Sequence, residues 1–432
     1  MINKELEILD LKHIWHPCTQ MKDHEILPII PIKYGKGIYL YDFDNNKYID
    51  AISSWWVNIF GHSNEYINSK IKEQLETLEH VILAGFTHKP AIDLAQKLVD
   101  ITPNNLNKVF FADNGSSAVE VALKMSYHYF KNRGEDKDTF LSLTNSYHGE
   151  TLGALSVGDV KLYKDTYNPL LINNMQTPVP LDNSEIEADI ALSKLEDILK
   201  INANKISALI VEPLIQGAGN MHMYHPKYLI GARELTLKYN VHLIADEIMT
   251  GFGRTGTMFA TQQANISPDF MTLSKGLTGG YLPLSVVMTT DDIYSAFYCD
   301  YNEHKAFLHS HSYTGNPLAC SAALATLEIF ENENIIEENR ETSKYIEQSL
   351  KKFNKLSNVK NIRQTGMVAA FDIKGYNPKD RIGLQVYTYG LQNGVLLRPL
   401  GNTIYFMPPY IIKKDEIDKM INVAFEAIKS LP

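Results

Sequence analysis

Between residue 63 and about residue 330 the apolar positions follow two periods in alternation. In Ala118–Lys131 they fall at 118, 121, 122, 125 and 129, a spacing that buries one face of a helix. Glu65–Glu79 and Pro90–Asp100 also read as helices, the second with proline at its start, where a missing N–H is tolerated. Between them lie short apolar runs at Lys108–Ala112, Thr139–Leu143, Ala208–Val211 and Val241–Ala245, and another just before Lys275. Runs of that kind suit strands covered on both faces, so this region predicts a mostly parallel sheet flanked by helices. Residues 182–205 are acidic and helical in pattern, and read as a solvated connector.

The two ends of the chain differ from the middle. Ile29–Tyr34, Ile38–Tyr41 and Lys47–Asp50 read as strands, with Asp44-Asn-Asn46 turning the last pair. Ser53-Ser-Trp-Trp-Val-Asn-Ile-Phe-Gly-His62 reads as extended, which sends Trp55 and Trp56 to opposite faces. After residue 331 a helical stretch precedes strands at Val368–Ile373 and Val395–Leu397. The expected fold class is α/β, with a large domain over 61–330 and a smaller α+β domain assembled from 1–60 and 331–432.

Composition narrows the function. A chain of 432 residues with 44% apolar and 21% charged residues is ordinary for a globular protein and long enough for two domains. The net charge of −9 offers no basic footprint for nucleic acid. No apolar run approaches the ~20 residues needed to cross a bilayer, so no membrane partner is expected. The N-terminal stretch mixes acids with apolar residues, unlike a secretory leader. Three cysteines make neither a disulfide framework nor a metal cage, and a cytoplasmic enzyme is the expectation.

Candidate chemistry collects at strand ends. Asp246 closes the run Val241–Ala245, and Lys275 follows a second run inside Thr272-Leu-Ser-Lys-Gly-Leu-Thr278. In open α/β sheets ligands bind at the carboxyl ends of strands. A carboxylate and an amine at one such edge suit pyridoxal phosphate, whose aldehyde condenses with a lysine while an acid keeps its ring nitrogen protonated. Asp113-Asn-Gly-Ser-Ser117 joins a strand to a helix, where backbone amides and the Ser116 and Ser117 hydroxyls could cradle a phosphate; an ordinary helix cap is the plain alternative. Tyr147, in Ser146-Tyr-His-Gly-Glu150, could stack on a flat ring, and Glu212 could stand on the pocket wall. Gly251-Phe-Gly-Arg-Thr-Gly256 matches a dinucleotide fingerprint, but no apolar-periodic helix follows it. His309 and His311 lack a third ligand, so no metal site is expected. Arg398 is either salt-bridged structure or a clamp for a substrate carboxylate.

Asp246, Lys275, Gly115-Ser116, Tyr147 and Arg398, in this order, resemble the fold-type I, class III PLP-dependent aminotransferases, and the resemblance runs the length of the chain. Trp15-His-Pro-Cys-Thr-Gln-Met21, Ser53-Ser-Trp-Trp56, Gln216-Gly-Ala-Gly219, Ser274-Lys-Gly-Leu-Thr-Gly-Gly280 and Arg398-Pro-Leu-Gly401 narrow it to the biotin-synthesis branch. The resemblance implies that 8-amino-7-oxononanoate is the acceptor and S-adenosylmethionine or lysine the donor. It implies that Lys275 carries the cofactor as a Schiff base and moves the proton, its pKa lowered for that task. Asp246 would pair with the pyridine nitrogen, Tyr147 stack on the ring, and Gly115 and Ser116 hold the phosphate. Ser312 would reach the phosphate of the other subunit of a homodimer. Trp55 would wall the aliphatic chain, Arg398 hold its carboxylate, and Tyr405 lie nearby. Cys18 stands where many members of the family carry tyrosine.

Overall fold

The computed structural model describes residues 2–172 and 174–432. The chain divides into two compact units, one formed by 66–340 with 364–367, the other by the first 65 residues with 341–363 and 368–432.

The larger unit is built on a seven-stranded sheet. Across it the strands run Leu106–Ala112, Ser285–Thr290, Phe270–Leu273, His242–Asp246, Ile206–Val211, Thr139–Leu143 and Asn174–Thr177. Every residue of Ile206–Val211, His242–Asp246 and Phe270–Leu273 is buried, which is why these segments read as mostly apolar runs without alternation. Ser285–Thr290 is antiparallel to both its neighbours, and the remaining pairs are parallel. Six of the seven strands therefore end on one edge of the sheet. The Gly115–Asn132 helix packs Ala118, Val121, Ala122, Met125 and Tyr129 into a core shared with Phe140, Ile210, Ile244 and Phe270. The acidic Glu185–Asn202 helix departs from the solvated connector expected of it. It buries Ala188, Ala191, Leu195 and Leu199, a stripe at helical spacing hidden among the acids. Gly251–Gly256 forms a turn, and only a short 3-10 segment, Ala260–Ala264, follows it. Among the described residues no helix is long and apolar enough to cross a membrane.

In the smaller unit, Ile32–Lys36, Tyr39–Asp42, Lys47–Asp50 and Val395–Leu396 form one sheet. Val368–Ile373 pairs antiparallel with Thr403–Phe406, with Ala370 opposite Tyr405. The Lys414–Lys429 helix buries Ile417, Met420, Ile421, Ala424 and Ile428 on one face.

The tryptophan pair is where local structure departs most from expectation. Ser53–Trp56 is a tight helical turn, not an extended segment, and φ is positive at all four residues: 51°, 46°, 72° and 75°. Each non-glycine residue in the left-handed region costs about 1–2 kcal/mol, so such a turn persists only where its surroundings hold it. Its backbone closes through Trp56 N–H to Ile52 O at 2.9 Å and Val57 N–H to Ser53 O at 3.0 Å. The Ser53 hydroxyl donates to Met407 O at 2.7 Å. The turn leaves Trp55 41% exposed and Trp56 5% exposed.

Candidate active site

The shared edge of the large sheet gathers polar groups from five strands. After Leu106–Ala112 the chain enters the Gly115–Asn132 helix, capped by Asn114, whose side chain accepts the Ser117 N–H at 3.0 Å. That cap leaves the amides of Gly115 and Ser116 to face outward at the positive end of the helix dipole, the arrangement that holds an oxyanion. A Cβ on Gly115 would stand 3.1 Å from the Ile248 side chain, so the close packing at this helix end asks for glycine.

The strand Thr139–Leu143 delivers Tyr147 and His148. The Tyr147 N–H donates to Glu212 Oε2 at 2.9 Å, and its hydroxyl donates to Glu150 Oε1 at 3.1 Å. The Glu150 N–H in turn donates to Ser116 Oγ at 3.2 Å. Between them, Gly149 has φ 128°, and a Cβ there would lie 2.0 Å from Ser116 Oγ. Tyr147 and Ser116, 31 residues apart in sequence, are thus tied into one hydrogen-bonded loop pair.

The strand His242–Asp246 ends on a carboxylate only 5% exposed. Asp246 Oδ2 accepts from His148 Nδ1 at 2.7 Å, and Oδ1 accepts from the Ile248 N–H at 3.1 Å and the Thr272 hydroxyl at 3.3 Å. His148 is itself buried. The signal that could have singled it out is its place beside Tyr147 at a strand end, one strand removed from a carboxylate.

Thr272 pairs directly with Asp246 in the parallel ladder, and Lys275 comes three residues later, in a left-handed conformation (φ 48°). Burial lowers the Lys275 amine to about 8, against the opposing pull of the Asp246 and Glu212 carboxylates. Glu212, at the end of Ile206–Val211, accepts the N–H groups of Tyr147 and Gly217 at 2.9 Å each. Burial pushes its carboxyl up to about 7, partly offset by His148. The structure therefore brings Lys275, Asp246, Tyr147, Ser116, Gly115 and Glu212 to one sheet edge, and adds His148.

The other expected residues lie elsewhere in the chain. Arg398 follows Val395–Leu396 in the smaller unit, its guanidinium 5.1 Å from the Trp55 ring centre and its Nη2 donating to Cys18 O at 3.4 Å. Tyr405 is 2% exposed, and its hydroxyl accepts from the Trp56 indole N–H at 3.0 Å. Ser312 is exposed, on the segment leading into the Pro317–Asn332 helix.

A buried carboxylate, a lysine amine lowered toward neutrality and a helix end packed for glycine suit a cofactor with an aldehyde, a basic ring nitrogen and a phosphate. The family comparison agrees. The chain matches the class III aminotransferase model over residues 19–428 and belongs to that family, whose members depend on pyridoxal phosphate. It is 55% identical to the adenosylmethionine-8-amino-7-oxononanoate aminotransferase of Helicobacter pylori, over 99% of this chain and 98% of that protein. The enzyme of the same name from Aquifex aeolicus is 43% identical, over 99% and 98%. Among solved structures, that of the Methanocaldococcus jannaschii enzyme of this name superposes with a TM-score of 0.94 at 39% identity, covering 99% of both chains. An omega transaminase from Pseudomonas jessenii, in complex with PMP, gives 0.92 at 28% identity, covering 98% of this chain and 97% of the other.

Proposed function

We propose that the protein aminates 8-amino-7-oxononanoate to 7,8-diaminononanoate in biotin synthesis, with S-adenosylmethionine as donor. The observation that carries this reading is that relatives at 36–55% identity, matched over 98–99% of this chain, bear the name of that reaction. The Trp55-Trp56 pair, unusual in the wider family, supports the same branch.

Bound pyridoxal phosphate supplies an aldehyde and an electron-withdrawing ring, through which an amino group leaves a donor and enters an acceptor. The chain's own residues do the rest. Lys275 holds the cofactor through its amine and, once displaced, moves a proton at the substrate carbon. An amine near 8 is neutral often enough at pH 7 to serve as base, which an ordinary lysine is not. Asp246, oriented by His148 and Thr272, keeps the ring nitrogen protonated. Gly115 and Ser116 would hold the phosphate, and Tyr147 would stack on the ring. Arg398 grips the acceptor carboxylate with its two-pronged guanidinium. Trp55 walls the acceptor's aliphatic chain, and Tyr405 backs that wall through Trp56. The enzyme works as a cytoplasmic homodimer in which Ser312 adds a hydroxyl to the phosphate site of the other subunit.

Lysine is the second donor to consider, because His309-Ser-His-Ser-Tyr-Thr314 resembles the lysine-using branch. The purified yellow enzyme decides between them. S-adenosylmethionine, given alone, should bleach the visible band, and 8-amino-7-oxononanoate should restore it. Bleaching by lysine alone would move the protein to the other branch. If neither donor bleaches it and the keto acid leaves a chemically aminated enzyme unchanged, the substrate assignment is wrong.

A further inference from the structure

The left-handed turn that presents Trp55 is held from beneath by one buried carboxylate. Asp50 ends the Lys47–Asp50 strand and is fully buried. Its Oδ1 accepts the Ser54 N–H at 2.9 Å and the Ile52 N–H at 3.4 Å, while Oδ2 accepts the Ser54 hydroxyl at 2.6 Å. The fourth donor is His62 Nε2, 3.0 Å from Oδ2. The Asn58 amide nitrogen donates to His62 Nδ1 at 3.1 Å, which leaves Nε2 as the ring's protonated nitrogen. His62 is anchored in turn: its N–H donates to Gly37 O at 2.6 Å, and the Gly37 N–H donates to His62 O at 3.0 Å. The chain of contacts runs from the sheet through His62 and Asp50 to Ser54, and Ser54 precedes the tryptophan that meets Arg398.

We infer that Asp50, with His62 behind it, is a positioning residue for acceptor recognition: it locks Ser54 in the left-handed region and so holds Trp55 against Arg398. A carboxylate taking four donors is needed because the backbone conformation it sustains is unfavourable for serine and tryptophan. Without it the turn relaxes toward ordinary right-handed or extended geometry, and the indole swings off the guanidinium. This inference rests on the acceptor roles proposed above for Trp55 and Arg398.

The test compares Asp50→Asn with the parent holoenzyme, both carrying Trp15→Phe so that Trp55 is the one exposed tryptophan. Asp50→Asn should raise the KM for 8-amino-7-oxononanoate at least tenfold. Bleaching by the donor and the visible spectrum of the bound cofactor should stay within twofold and unshifted. Acrylamide quenching of tryptophan emission should change in the resting enzyme, before any substrate is added. Ser54→Ala, which deletes one of the four donors, should shift both readouts in the same direction by less. Unchanged quenching would overturn the inference, as would an equal loss in both half-reactions with release of cofactor, which marks a merely structural residue. If the parent enzyme does not use the keto acid, the functional reading fails by itself, and the quenching comparison still decides what Asp50 holds.

Discussion

If Lys275 carries the cofactor as proposed, its protonation sets how fast the cofactor-free protein captures pyridoxal phosphate, since only the neutral amine attacks an aldehyde. With the amine lowered to about 8, the neutral fraction is roughly 9% at pH 7, about half at pH 8 and roughly 91% at pH 9. Capture, followed by the growth of visible absorbance at limiting cofactor, should therefore speed up about tenfold from pH 7 to 9 and level off above it. An ordinary lysine, with its pKa at 10.5, would gain about 100-fold over that interval and still be climbing. The same displacement fixes a stability slope. The folded pKa lies below the unfolded one, so between pH 8 and 10.5 the unfolded chain binds more protons, and stability rises with pH in that window. Below pH 8 the full cost is present, about 3 kcal/mol at 1.36 kcal/mol per pH unit. Lys275→Met removes the charge while keeping the stem, and should stabilise the cofactor-free protein at pH 7 and flatten its alkaline slope. A capture rate still rising tenfold per pH unit at pH 9 would refute the reasoning, because it would mean that the amine is not desolvated.

Arg398→Ala should cut kcat/KM for the keto acid by about 10–100-fold, the worth of a charge-assisted pair, with the donor half-reaction nearly unaffected; stopped-flow traces of each half separate the two. Gly149→Ala forces a Cβ to 2.0 Å from Ser116 Oγ at φ 128°, and should cost about 3 kcal/mol in denaturant unfolding while loosening cofactor binding. Tyr405→Phe removes the hydroxyl that accepts the Trp56 indole N–H at 3.0 Å, and should cost about 0.5–1.5 kcal/mol, read from the denaturation midpoint, without moving the cofactor spectrum.

The sheet was legible because its central strands are covered on both faces, and full coverage writes short, mostly apolar runs into the chain. Thr139–Leu143, and Val368–Ile373 in a sheet of the smaller unit, are bounded to the residue for that reason. The Glu185–Asn202 helix was misjudged because alanine, which supplies half its buried stripe, carries little hydrophobic signal. Asp246 and Lys275 were visible as polar residues closing apolar runs. His148 was not, because its meaning comes from Asp246, 98 residues away, and only strand order brings the two within 2.7 Å. The left-handed turn at Ser53–Trp56 was hidden for a related reason. Nothing local favours positive φ in Ser-Ser-Trp-Trp; the conformation is imposed by Asp50, Met407 and the backbone around them.

The claim on which the rest depends is that Lys275 is the residue that carries the cofactor. Borohydride reduction of the yellow enzyme fixes the link permanently, and peptide mass mapping then locates it. The account predicts the added pyridoxyl phosphate mass on the peptide containing Lys275, and no visible band in Lys275→Ala. A modified peptide containing any other lysine, or a band that survives in Lys275→Ala, would contradict it.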